Sequence, residues 1–185
     1  VTISTGVGGG IIANSEMVTG SAGGAGEVGH LAVRTGAYKC NVGCDGCFEG
    51  NASGPAIAKI ARDRWTGEGS LADLANGDPE NITSRMVFDA ADDGDPVAQG
   101  VVDLTIQNVS IGLGMLINVF NPEALVIGGG VVQGLQRHWE KLKETVIEKS
   151  LPGYGKTTPL TATRLGDDVS LLGAAQLAFR QARRQ

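Results

Sequence analysis

Apolar and polar positions alternate from the first residue: Val1 and Ile3 against Thr2 and Ser4, then Gly6-Val7-Gly8-Gly9-Gly10, then Ile11-Ile12-Ala13. Over residues 1–13 this predicts a strand, a glycine turn and a second strand. Residues 20–50 lose periodicity and are rich in glycine, which predicts a loop-dominated stretch. Helical spacing starts after Ser53, a good N-cap, with Pro55 in the first turn. Ile57, Ile60, Ala61 and Trp65 share a face there, and Gly67 and Gly69 end it. Ser70 opens a short helix, and Thr83 caps another with Met86, Val87 and Ala90 on one side. Gly94-Asp95-Pro96 starts a long helix reaching about Phe120. Val97, Val101, Leu104, Val109, Leu113, Leu116 and Ile117 give it a broad apolar face. Gly112 and Gly114 lie inside it; internal glycines weaken a helix, so close contact with another backbone is the expected compensation.

Asn121-Pro122 breaks that helix. The continuous run Ala124-Leu125-Val126-Ile127 reads as a strand buried on both faces and ends in Gly128-Gly129-Gly130. A helix is predicted over roughly 134–149, with Trp139, Leu142, Val146 and Ile147 inward. Leu160 to Thr163 forms a short strand. A final helix runs from Leu171 to Ala182, and Arg180, Arg183 and Arg184 at its basic end complement the helix dipole. Strands alternating with helices indicate an α/β core.

The length, 185 residues, suits one large domain or one lobe of a two-lobed protein. The first residue is Val1, already in a strand pattern, so the chain reads as the later part of a longer protein. Lys plus Arg is 15 and Asp plus Glu is 20, a net charge of −5, which argues against a general nucleic-acid-binding surface. The 42% hydrophobic content excludes wholesale disorder. No apolar run approaches the ~20 residues of a bilayer span. Aromatics are 4%, so the core must be aliphatic, and glycine, at 29 residues, has about twice its common share.

Three features carry candidate chemistry. Thr5-Gly6-Val7-Gly8-Gly9-Gly10 either holds a nucleotide phosphate on its backbone N–H groups or is a tight hairpin with no ligand. It lacks the Gly-Lys-Ser/Thr of a Walker loop, and a strand follows it rather than the helix of a Rossmann fingerprint. Gly128-Gly129-Gly130 is a second run at a strand end, where α/β sheets bind ligands. Cys40, Cys44 and Cys47, with His30 ten residues ahead, supply a tetrahedral zinc set; free thiols are the alternative. Glu27 and Glu49 bracket that motif. They are either carboxylates held by the metal to accept vicinal sugar hydroxyls, or two solvated glutamates. His138 lies on a Lys/Glu helix and reads as a surface residue.

These segments resemble the ROK family of repressors, unassigned reading frames and sugar kinases. The matching residues are Thr5–Gly10, Glu27-Val28-Gly29-His30, the Cys40 to Cys47-Phe48-Glu49 motif and Ser53-Gly54-Pro55-Ala56-Ile57. Asn121-Pro122-Glu123, Ile127–Gly130 and Leu172-Gly173-Ala174-Ala175 complete the set, in family order. The resemblance implies an α/β, actin-like ATPase (ribonuclease-H-like) lobe with a zinc-bound loop insertion and extra helices. It implies ATP phosphates, with Mg²⁺, at Thr5, Gly6, Gly8 and Gly9, and adenosine near Gly128, Gly129 and Gly130. Sugar hydroxyls would be held by Glu27, His30 and Glu49, and structural Zn²⁺ by His30, Cys40, Cys44 and Cys47. The usual motif is C-x-C-G-x-x-G-C. Here Val42 stands at the middle cysteine, and Cys44 is expected to replace it.

The implied activity is ATP-dependent phosphorylation of a hexose, glucokinase-like, in a cytoplasmic homodimer without membrane or nucleic-acid contacts from this lobe. Residues 1–185 would be the C-terminal lobe, carrying the sugar, zinc and part of the ATP site. The catalytic Asp is expected in an N-terminal lobe absent from this chain, so the chain alone would be inactive. The alternatives are the lobe of a sugar-sensing ROK repressor and a zinc-stabilised, non-catalytic remnant.

Overall fold

The alternating residues at the start of the chain form a short antiparallel ladder, β1 (Thr2–Ile3) with β2 (Val7–Gly8). The computed structural model describes residues 1–182. A second antiparallel pair, β3 (Ile12–Ala13) and β4 (Glu16–Met17), turns through Asn14 and Ser15, both at positive φ. Residues 20–47 then run without regular strands apart from the 3₁₀ turn Val28–His30. The helices follow in order: α1 (Phe48–Ala52), α2 (Gly54–Asp63), α3 (Ser70–Leu74), α4 (Ser84–Asp92) and α5 (Pro96–Phe120). Next come β5 (Leu125–Ile127), α6 (Gly130–Gly134), the 3₁₀ turn Leu135–His138, α7 (Trp139–Lys149) and α8 (Tyr154–Thr157). β6 (Leu160–Ala162) and α9 (Val169–Ala182) close the described chain. β5 and β6 are parallel, and a parallel bridge between Thr2 and Gly128 joins them to the first pair, giving the order β2-β1-β5-β6.

Caps explain where the helices start. Ser53 Oγ accepts from Ala56 N at 3.3 Å and Thr83 Oγ1 from Met86 N at 3.3 Å. Asp95 serves two helices at once. Its Oδ1 accepts from Ala98 N in α5 at 2.9 Å, and its Oδ2 accepts from Leu71 N in α3 at 3.1 Å. α5 is the spine of the core: Val101, Ile106, Val109, Leu113 and Ile117 are fully buried. By length and hydropathy it could cross a bilayer, but 67% of its apolar window is buried inside the fold, as in the core helix of a globular protein.

Several expectations are corrected. The second strand lies within the glycine run, at Val7–Gly8, and Ile12–Ala13 forms a separate hairpin instead. The strand after Pro122 is covered on one side only: Leu125 and Ile127 are buried, but Val126 is 49% exposed. The helix placed at 134–149 starts four residues earlier and is broken by the 3₁₀ turn into α6 and α7. Within α7, Thr145 rather than Ile147 is buried, so the apolar stripe is narrower than expected. His138 is half-buried beside Asp92, at 3.8 Å, rather than on the surface. Arg180 donates to the Ser15 carbonyl at 2.8 Å; Arg183 and Arg184 lie outside the described residues.

Gly112 meets a side chain as well as tight space. A Cβ there would sit 2.6 Å from Cδ1 and Cε1 of Phe48, which is wholly buried. Alanine gains roughly 1 kcal/mol over glycine in a helix interior, whereas overpacking a filled core costs roughly 1–3 kcal/mol. Gly112→Ala should therefore lower the denaturation midpoint. Gly173→Ala, in open space on α9, should raise it. Parallel stabilisation of both variants in a denaturant titration would contradict this packing.

Candidate functional site

The hairpin β1–β2 presents the Ser4–Gly6 turn, and an acid lies directly against it. The backbone N–H of Val7 donates to Glu49 Oε2 at 3.1 Å. A Cβ on Gly6 would come within 2.8 Å of that oxygen, so a larger residue there would displace the carboxylate. Glu49 sits in the first turn of α1, capped by Cys47, whose sulfur accepts from Gly50 N at 3.4 Å. The N-terminus of a helix favours a negative side chain there.

Cys47 is also the end of the glycine-rich loop. The loop is drawn back on itself by Phe48 N donating to the Leu31 carbonyl at 2.8 Å, and by Val33 N and Arg34 N both donating to the Gly46 carbonyl. Within it, His30 Nδ1, Cys40 Sγ and Cys44 Sγ all lie within 4.8 Å of one another. Nδ1 is 3.6 Å from Cys44 and 3.8 Å from Cys40. Cys47, the fourth expected ligand, is not part of that group; its sulfur accepts from Gly50 N at 3.4 Å. The other ring nitrogen, Nε2, faces the opposite way, 3.9 Å from Glu27 Oε2. Val42, at the middle-cysteine position, is 72% exposed and takes no part. The imidazole and the two sulfurs of Cys40 and Cys44 fit three corners of a tetrahedral zinc site, with Glu27 as the outer partner of the histidine.

The thiols are electrostatically unequal. Burial pushes Cys40 up, but the amides of Val42 and Cys44 and hydrogen bonds with the Cys47 and Cys44 thiols outweigh it and hold Cys40 at about 7. Cys44 is raised, first by its hydrogen bond with Cys40 and then by burial; Cys47 is raised mainly by burial.

The second glycine run meets the first. Ile3 N donates to the Gly128 carbonyl at 2.8 Å, and Gly129, at φ 100°, packs against the Ile3 carbonyl where a side chain would clash. Beside this junction lies a cavity of about 410 Å³ lined by Ser4, Thr5, Gly54, Arg62, Ser84 and Gly130, among others. A neighbouring one of about 430 Å³ shares Ser84 and Gly130 and extends along Asp89, Asp92, Gln133 and Arg137. Thr5 and Gly130 thus face one cleft. Glu27, His30 and Glu49 line neither cavity. Gly8 and Gly9 are also outside the cleft, on the β2 side.

Three polar residues escaped the sequence reading. Asn108 on α5 donates to the Asn51 carbonyl at 3.0 Å, and Asn51 donates to the Cys47 carbonyl at 2.8 Å and the Tyr38 carbonyl at 3.3 Å, tying the cysteine loop to the core helix. The available signal is an asparagine one position from the apolar face formed by Val101, Val109 and Leu113 in α5. Arg62 in the cleft wall had no such signal.

The ROK family model matches residues 1–181. A glucokinase of Thermotoga maritima is 33% identical over 178 residues, covering 96% of this chain and 56% of the relative. The ROK glucokinase of Streptomyces griseus, solved in complex with glucose and AMPPNP, superposes with a TM-score of 0.83 at 32% identity, covering 95% of this chain and 58% of that one. A xylose repressor of Caldicellulosiruptor bescii is 27% identical over 97% of this chain and 45% of its own length. The chain therefore spans little more than half the length of the glucokinases it matches, and its fold is that of the actin-like ATPase sugar kinases.

In metal-free protein, one thiolate should appear in ultraviolet absorbance as the pH rises through about 7, and two more only above the ordinary thiol value of 9.0. Three thiols ionising together near 9.0 would contradict the cluster's hydrogen bonding.

Proposed function

The chain belongs to the ROK family, and we propose that residues 1–185 are the sugar- and zinc-binding lobe of an ATP-dependent hexose kinase of glucokinase type. The carrying observation is the 3.1 Å hydrogen bond from Val7 to Glu49, which places a carboxylate against the glycine turn. A sugar hydroxyl accepted by Glu49 would lie next to a phosphate held at Thr5 and Gly6. That is the juxtaposition a phosphoryl transfer needs. The likeness to a glucokinase solved with glucose and AMPPNP supports the same pairing of ligands.

In this reading Glu27, His30 and Glu49 bind and orient the sugar. His30 offers Nδ1 to the thiol side and Nε2 to the Glu27 side, so one ring can serve zinc and sugar together. Zinc, held by His30, Cys40, Cys44 and Cys47, would supply a structural cross-link and no step of the reaction. The sugar oxygen bonds to the γ-phosphorus as the bond to the ADP oxygen breaks. Such transfer rests on positioning and charge neutralisation, with Mg²⁺ on the phosphates. The adenosine end would run towards Gly128–Gly130 and the second cavity. The carboxylate base that takes the hydroxyl proton lies, on the family's pattern, outside residues 1–185, so this lobe alone is read as inactive. A cytoplasmic homodimer belongs to the same reading, supported by the family alone.

The likeness to a xylose repressor supports a second reading, the sugar-sensing lobe of a regulator. The intact glycine turn facing a cleft favours the kinase. Under either reading Glu27→Ala and Glu49→Ala in the full-length protein should each weaken hexose binding about tenfold or more, since a hydrogen bond to a charged group is worth ~1.5–3 kcal/mol. Unchanged affinity in calorimetry for both variants would show that these acids do not hold the sugar, and no hexose binding by the unmutated protein would identify a remnant that keeps the fold without the sugar site.

A further inference from the structure

Among the side chains lining the 410 Å³ cavity, Arg62 alone is charged, and two of its guanidinium nitrogens, Nε and Nη2, are engaged by backbone. Nε donates to the Pro79 carbonyl at 3.0 Å, and Nη2 donates to the carbonyls of Glu80 at 3.1 Å and Ile82 at 3.0 Å. Those carbonyls belong to the 3₁₀ turn Pro79–Asn81 and to the residue just before Thr83, the N-cap of α4. One guanidinium on α2 therefore fastens the α3–α4 connection at the point where α4 begins.

The consequence reaches the cleft within two residues. Ser84, the first residue of α4, lines both cavities. Its Oγ is 3.1 Å from where a Cβ on Gly54 would lie, and Gly54 N donates to the Ser4 carbonyl at 2.7 Å. The starts of α4 and α2 and the Ser4–Gly6 turn thus close on one another around the cavity. Besides Arg62 the connection is held by the buried Ile82 side chain, by Asn81 Nδ2 on the Ala75 carbonyl at 3.1 Å and by Asp78 Oδ1 capping Glu80 N at 2.9 Å, while Glu80 and Asn81 are exposed.

We propose that Arg62 is a positioning residue for the nucleotide: by holding the carbonyls of Pro79, Glu80 and Ile82 it sets where α4 begins, and so fixes the wall of the cleft against which the nucleotide lies. This rests on the nucleotide reading of the cleft given above. The planar fork is essential to the role. A lysine keeps the charge but is a single flexible point donor that cannot span three carbonyls.

The test is equilibrium binding of Mg²⁺–AMPPNP and of glucose to the full-length protein and its Arg62→Lys and Arg62→Ala variants, with folding followed by circular dichroism. Both variants should bind AMPPNP about tenfold more weakly while glucose binding changes by less than about twofold. Wild-type affinity for AMPPNP in Arg62→Lys would overturn the proposal by showing that a point charge suffices. Equal weakening of both ligands would overturn it by showing a general structural role. Unchanged AMPPNP binding in Arg62→Ala would overturn it outright. Failure of the wild-type protein to bind AMPPNP, with glucose bound, would remove the nucleotide reading and this proposal with it.

Discussion

The site depends on drawing His30, Cys40 and Cys44 to one point, with Cys47 closing the segment, in a loop that has little else to order it. Between residues 20 and 47 only Val28, Val33, Cys40 and Cys47 are buried among the apolar side chains. A chain segment that buries so little cannot offset the entropy of being fixed. The loop's own hydrogen bonds bring its two ends together, and the thiols and imidazole then occupy the centre. Anchorage to the core runs the other way, from Asn108 through Asn51 to the Cys47 carbonyl, and through Phe48 seated against Gly112.

That arrangement couples two chemistries across one short helix. Cys47 caps α1 with its sulfur, and Glu49, two residues on, reaches the Val7 amide. The sugar side and the phosphate side of the proposed site are thus separated by a single hydrogen bond and the missing side chain of Gly6. The cleft is walled by α2, α4 and α6; caps set the starts of α2 and α4, and the backbone bonds of Arg62 hold the approach to α4. Rigid elements set each polar group, and the loops between them are held by side chains on neighbouring helices.

Much of this was legible in the residues. Ser53, Thr83 and Asp95-Pro96 announced three helices because capping is local chemistry that reads directly from sequence. The cysteine and histidine spacing announced the grouping of His30, Cys40 and Cys44, whereas the position of Cys47 outside that group was not legible. What could not be read was anything decided by distant contacts. The break between α6 and α7 falls where Gly134 packs under Phe88, a contact that no periodicity encodes. The one-sided burial of β5 depends on which elements cover it, and the Arg62 anchorage joins residues far apart in the chain. The Asn14-Ser15 hairpin was concealed because its strands are only two residues long.

In the proposed function a zinc ion on His30, Cys40 and Cys44, with Cys47 as the fourth ligand, stiffens the loop and aims Glu27 and Glu49 at a sugar. Zinc-edge X-ray absorption on the purified protein addresses it most directly. Three sulfurs at about 2.3 Å and one nitrogen at about 2.0 Å around a stoichiometric zinc are the predicted result. Zinc absent, or surrounded only by light oxygen and nitrogen scatterers, would contradict the account.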